Sequence, residues 1–146
     1  MSKIKVILFV TLLFSIQSFA QDWHTDIDKA KSLANKNNQN IILVFQGSDW
    51  CAPCIKLDKE IWSTLQFQNL AKNHFVMLKA DFPKRKQNKL PLDLQAHNNK
   101  LAEKYNPNGY FPFILVLNAK GNVLGSLGYE KSTPEDFYKK LIAFEN

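Results

Sequence analysis

Cysteine is nearly missing from this 146-residue chain, which has two, Cys51 and Cys54. Small exported domains that rely on disulfides for stability carry several spaced pairs, so a cross-linked scaffold is excluded. The loop this one pair can close is too short to restrict the unfolded chain much. Acids are also in deficit, 13 against 19 lysines and arginines, for a net charge of +6. A basic chain can bind nucleic acid or an anionic membrane. Here the lysines are scattered rather than striped, so they read as a solvated surface with no nucleic-acid partner. Long apolar runs are lacking as well. The uncharged stretch at residues 6–21 has 16 residues, short of the ~18 expected of a membrane-spanning helix. Internal repeats and low-complexity tracts are absent, and the length suits one domain.

The uncharged stretch has a different reading. Lys3 and Lys5 form a short basic region, and residues 6–16 are apolar except for Thr11 and Ser15. Ser18-Phe19-Ala20 then places small residues where a signal peptidase reads. This pattern predicts a secretory signal at residues 1–20, cleaved after Ala20, and a domain at residues 21–146; an uncleaved anchor is the alternative. No cysteine follows the cleavage point, which excludes lipid attachment there. A domain of that size buries roughly two-thirds of its unfolded surface.

Strand and helix signals alternate through the rest of the chain. Thr25 with Asp28 makes an N-cap and acidic N3 pair, and Ile27, Ala30, Leu33 and Ala34 recur at helical spacing. Residues 41–45 are a continuous apolar run of strand length, as expected of a strand buried on both faces. Gly47-Ser48-Asp49 is a loop, and a helix is predicted from about Cys51 to Thr64. Its apolar side is Ile55, Leu57, Ile61, Trp62 and Leu65, with Pro53 tolerated in the first turn. Residues 75–80 read as a strand, 81–92 as a polar loop and 94–105 as a helix. Residues 113–117 and 122–127 read as a hairpin around Asn118-Ala119-Lys120-Gly121. Thr133-Pro134-Glu135-Asp136 starts a last helix, whose apolar face carries Phe137, Tyr138, Leu141 and Ile142. A strand–helix–strand crossover predicts a mixed sheet with helices on both faces.

Cys51 and Cys54, three apart, share one face of a helix. Cys51 falls where the helix is predicted to begin, where unpaired backbone N–H groups and the positive dipole end favour a thiolate. Cys54, one turn deeper, is placed to attack a mixed disulfide formed at Cys51. Pro53 has no N–H and restricts the intervening loop. Two thiolates also supply half of a tetrahedral zinc site, but His24, His74 and His97 stand at no ligand spacing from one another. No metal or other cofactor is expected.

Ile41-Ile42-Leu43-Val44-Phe45, followed by Ser48-Asp49-Trp50-Cys51-Ala52-Pro53-Cys54, resembles the strand, tryptophan and Cys-X-X-Cys of the thioredoxin superfamily. The Gly47-Ser48-Asp49-Trp50-Cys51 lead-in is similar to that of its exported thioredoxin-like members and of the C-terminal domain of the transmembrane reductase DsbD. Lys104-Tyr105-Asn106 before Gly109, then Phe111-Pro112-Phe113, resembles the family's approach to its cis-proline. Gly121-Asn122-Val123 matches the turn of its terminal hairpin. The resemblance covers most of residues 22–146. It implies the α/β thioredoxin fold, a central mixed sheet flanked by helices on both faces. It also implies a cis Phe111–Pro112 bond, the kind of bond for which cis is cheap. Pro112 would then lie against the dithiol, with Phe111 offering its backbone to an extended substrate and Trp50 and Pro53 beside it.

Two departures from the family pattern stand out. Many thioredoxins bury an aspartate six residues before the first cysteine, and here that residue is Phe45. Asp49 and Glu60 are the acids near the motif, each open to a plain surface role. The usual Gly-X-Pro is one residue longer here, Gly109-Tyr110-Phe111-Pro112. The expectation is a monomeric periplasmic thiol–disulfide oxidoreductase acting on protein thiols or disulfides. Ala-Pro between the cysteines leans toward reduction, with electrons from a membrane donor. A dithiol module handling copper or apocytochrome, and a redox-inert interaction domain, are the alternatives.

Overall fold

Five strands form one mixed sheet in the order β1-β3-β2-β4-β5. They are β1 (Trp23–His24), β2 (Asn40–Gln46), β3 (Phe75–Asp81), β4 (Phe113–Leu117) and β5 (Val123–Leu127). The helices are α1 (Ile27–Asn37), α2 (Ala52–Leu57), α3 (Leu65–Ala71), α4 (Leu92–Tyr105) and α5 (Pro134–Ile142). This computed structural model describes residues 21–146, so the predicted signal and its cleavage point lie outside the described residues. Among the described residues no helix is long and apolar enough to cross a membrane.

β2 runs parallel to β3 and antiparallel to β4, and β1 adds to β3 in parallel. Residues 41–45 of β2 are all buried, as the unbroken apolar run requires. Side chains alternate along a strand, and the alternation divides the core into two layers. Ile42 and Val44 pack with Met77, Ile114 and Val116 beneath Leu57, Ile61, Trp62, Phe67, Phe137 and Leu141. Ile41, Leu43 and Phe45 pack on the other face with Ala30 and Ala34 of α1 and Leu101 and Tyr105 of α4. The expected α/β thioredoxin fold, a mixed sheet with helices on both faces, is what forms.

Three local expectations need correction. The N-cap of α1 is Asp26, not Thr25: its Oδ1 accepts the backbone N–H groups of Asp28 and Lys29 at 2.9 and 3.0 Å. The strand β1 has no counterpart in the sequence reading. Two residues carry no periodicity, and β1 exists because it pairs with Met77 and Leu78 while Trp23 packs edge-on against Trp62. The helix expected over residues 51–64 is also interrupted. α2 passes into a π-helical turn at Asp58–Trp62, closed by the Ser63 N–H donating to the Asp58 carbonyl at 2.8 Å. Thr64 then caps a separate helix, α3, by accepting the Phe67 N–H at 3.2 Å.

The wider turn has a packing reason. In a continuous α-helix Trp62 would point about 140° away from Leu57, whereas the π turn brings Leu57, Ile61 and Trp62 into one buried cluster. Ile55 and Leu65, expected on the apolar side, are instead 49% and 65% exposed. Trp62 anchors the layer, with its ring 4.9 Å from Phe67 and 5.4 Å from Phe137, both edge-on. Edge-on pairs are the arrangement the ring quadrupole favours.

Candidate functional site

Where β2 ends, the chain turns through Gly47 and delivers Cys51 to the start of α2. The Cys51 N–H donates to the Gly47 carbonyl at 2.9 Å. Cys51 is itself the N-cap, in extended conformation, and its Sγ accepts the Cys54 N–H at 3.3 Å. A disulfide joins Cys51 and Cys54, whose Cα atoms are 5.2 Å apart, and both residues are 4% exposed. Pro53 lies exposed in the first turn, where a missing N–H costs nothing.

Each residue of the lead-in has a structural partner. Ser48 donates its N–H and its hydroxyl to the Asp81 carboxylate, at 2.9 and 2.6 Å. Asp49 accepts the backbone N–H groups of Lys84 and Arg85 and the Asn88 side-chain amide, each at 2.9 Å. The Lys84 N–H, then the Asn88 amide, hold its carboxyl below the usual aspartate range. Trp50 donates its indole N–H to the Phe82 carbonyl at 2.7 Å. Residues 81–92, a polar loop by sequence, are fastened by these contacts to the cysteine motif.

Trp50 also meets Phe111 with ring centroids 5.4 Å apart, and Phe111 meets Phe82 at 5.6 Å. The Phe111–Pro112 bond is cis, with Pro112 buried. The extra residue before it is held by Asn106, itself buried. Asn106 accepts the Tyr110 N–H at 2.9 Å and donates to the Tyr110 carbonyl at 2.8 Å. Gly109 supplies the positive φ, 69°, that this turn needs. The Tyr110 side chain, 57% exposed, stands on the rim.

Phe45 is fully buried on the α1/α4 side and stacks on Phe113 at 6.5 Å. The two acids considered from sequence are engaged elsewhere, Asp49 with the Lys84 and Arg85 backbone and the Asn88 side chain, and Glu60 as acceptor for the Tyr129 hydroxyl at 3.1 Å. A third acid was missed. Asp58 lines a cleft of about 210 Å³ together with Cys54, Ile55, Gln46, Ser48 and Lys79. Its signal was present in the spacing, since residues four apart on a helix share a face. Larger hollows, about 530 Å³ beside β1 and about 760 Å³ beside α5, contain neither cysteine.

The three histidines stay apart. His24 is near Asp22 at 3.9 Å, His74 contacts Glu145 at 2.7 Å, and His97 accepts the Ile27 N–H at 3.2 Å. Each has a structural partner and none approaches the cysteines within a ligand cluster among the described residues.

Comparison with known proteins agrees with this geometry. The disulfide bond reductase DsbH of Chlamydia pneumoniae is 33% identical over 108 residues, 74% of this chain. The match spans 63% of that protein's length, so the chain covers under two-thirds of this curated relative. A solved structure described as DsbH oxidoreductase superposes with a TM-score of 0.78 at 27% identity, covering 90% of this chain and 91% of the other. The oxidised C-terminal domain of DsbD from Neisseria meningitidis, 17% identical, shares the fold with a TM-score of 0.53 over 80% of this chain and 88% of its own. A thioredoxin-like family model matches residues 22–119, most of the sheet and the whole cysteine motif, and the chain belongs to that family.

Proposed function

We propose that the domain is a thiol–disulfide oxidoreductase working in the periplasm, with Cys51 as attacking thiolate and Cys54 as resolving thiol. The observation that carries this reading is the Cys54 N–H directed at the Cys51 sulfur within a disulfide at the head of α2. A hydrogen bond to the charged form of a thiol favours ionisation.

Starting from the reduced dithiol, the Cys51 thiolate attacks a substrate disulfide, a Cys51–substrate bond forms and the first substrate thiolate leaves. Cys54 then gives up its proton and attacks the Cys51 sulfur. The mixed bond breaks, the second substrate thiolate departs and the Cys51–Cys54 disulfide remains. Two electrons have passed to the substrate. Asp58, in the cleft beside Cys54, is the acid best placed to accept the resolving proton, in place of the aspartate that Phe45 replaces. Trp50, Pro53, Phe111 and Pro112 frame the surface the substrate chain crosses.

Reduction is the favoured direction. Ala52-Pro53 is closer to the Gly-Pro of reducing thioredoxins than to the Pro-His of the strong oxidant DsbA, and the relative DsbH is named a reductase. Export rests on the predicted cleavage after Ala20. In a periplasm without a glutathione buffer a reductase draws on a membrane donor. Equilibration of the protein with defined thiol–disulfide buffers tests the direction. A potential near the ~−270 mV of thioredoxin supports the reductase, and one near the ~−120 mV of DsbA makes it an oxidant. Stoichiometric metal in the purified protein would favour metal handling, and absence of any exchange a redox-inert domain.

A further inference from the structure

Between Asp81 and Asp93 the chain holds four cations, Lys84, Arg85, Lys86 and Lys89, and no acid. All four side chains are exposed, and none is ion-paired among the described residues. Such a loop on its own would be a solvated surface. Here it is fixed against the motif. The Asp49 carboxylate grips the backbone N–H groups of Lys84 and Arg85 rather than their side chains, so the pin holds the loop without a salt bridge to any of its cationic heads. Lys84 then lays its ammonium 3.9 Å above the centre of the Trp50 ring, on the residue next to Cys51. The nearby acids offset this charge only in part. The Asp49 carboxylate lies against the loop and is felt by Arg85, and Asp81 accepts from Ser48, but neither forms a salt bridge with any of the four cations.

Resting on the oxidoreductase reading above, we propose that this basic loop and the aromatic rim of Trp50 and Phe111 form a docking strip selecting substrate cysteines within extended, acidic polypeptide segments. The rim supplies apolar contact beside the reacting sulfur. The cations supply charge complementarity, which acts mainly on encounter and on the choice among partners and weakens as salt is added. Fixing the loop beforehand reduces the ordering cost of binding.

The test uses two synthetic nonapeptides with one central cysteine bound as a mixed disulfide to 2-mercaptoethanol. One peptide has glutamates on both flanks, the other lysines. Single-turnover reduction by the pre-reduced protein is followed by release of the peptide thiol. At low ionic strength the acidic peptide should react about tenfold faster. At about 1 M salt, where the screening length is ~3 Å, the ratio should fall to about two. A protein carrying Lys84→Gln, Arg85→Gln, Lys86→Gln and Lys89→Gln together should show a ratio within about twofold of one even at low salt.

Equal rates for the two peptides would overturn the docking strip while leaving the oxidoreductase reading intact. A preference that persists in the four-fold variant would overturn its assignment to this loop. Failure to reduce either peptide contradicts the oxidoreductase reading instead. The strip is then decided by binding of the same peptides with serine in place of cysteine, where equal affinities reject it and tighter binding of the acidic one supports it.

Discussion

Asp49 reaches thirty-five residues along the chain to accept the backbone N–H of Lys84 at 2.9 Å. That contact leads those holding the carboxyl below its ordinary range. A folded value below the unfolded one means the contact stabilises above the usual aspartate value of ~3.9 and is lost as pH falls through the lower folded value. The amide resonances of Lys84 and Arg85 should therefore hold steady from about pH 8 down to about pH 4 and move only in stronger acid. In Asp49→Ala they should lose exchange protection while the sheet keeps its own. Movement of these amides centred above pH ~4 would show that the carboxylate does not hold the loop.

Gly47 matters for close approach. A Cβ built there falls 2.2 Å from the indole Cε2 of Trp50, and the indole cannot easily retreat while it donates to Phe82. Gly47→Ala should displace Trp50, shift tryptophan emission to the red and slow disulfide exchange. Unchanged emission and rate would mean that the indole moves aside freely.

The cleft shared by Cys54 and Asp58 bears on the second step of exchange. General-base assistance typically contributes ~10²–10⁴, but an open cleft also lets water take the proton. Asp58→Asn should lengthen the life of the mixed disulfide on the order of tenfold in rapid-quench experiments at neutral pH, and less in alkali, where the thiol ionises without a base. Alkylation of Cys51 reports the first step separately. A resolving rate that is unchanged across the pH range would remove Asp58 from the mechanism.

Trp62 holds the layer beneath α2 through three edge-on aromatic contacts. Trp62→Ala should lower stability by about 3–5 kcal/mol in urea unfolding, the range for deleting a buried large aromatic. A loss below ~1 kcal/mol would mean the surrounding layer closes over the gap.

The layered fold was legible in the sequence because its cause is local. The apolar run at residues 41–45 and the Thr133-Pro134 helix start are patterns that survive folding unchanged. Cys51, Cys54 and the cis bond at Pro112 were legible too, the first two from spacing and the last from resemblance. What escaped depends on partners distant in sequence. β1 is a strand only through its pairing with β3, and the π turn follows from the demand to bury Trp62. Asp49 looked like a surface acid because its ligands are thirty-five to thirty-nine residues away. Asn106 gave no sign that it would clamp Tyr110 and absorb the extra residue before Pro112. Asp58 was within reach, four residues beyond Cys54, but an acid on a helix is ordinary until a cleft joins it to a thiol.

The central claim is the division of labour between Cys51 and Cys54, and single-cysteine variants test it most directly. Reduced Cys54→Ser and Cys51→Ser proteins are each mixed with a model protein disulfide, quenched by alkylation and weighed intact. With the resolving thiol removed, Cys54→Ser should accumulate a one-to-one mixed disulfide through Cys51, because nothing remains to release it. Cys51→Ser should accumulate little, since the two cysteines are equally covered and Cys54, a turn inside α2, lacks the helix-head position and the N–H that is directed at the Cys51 sulfur. Equal trapping by both variants, or trapping through Cys54 alone, would contradict the assignment of Cys51 as the attacking thiolate.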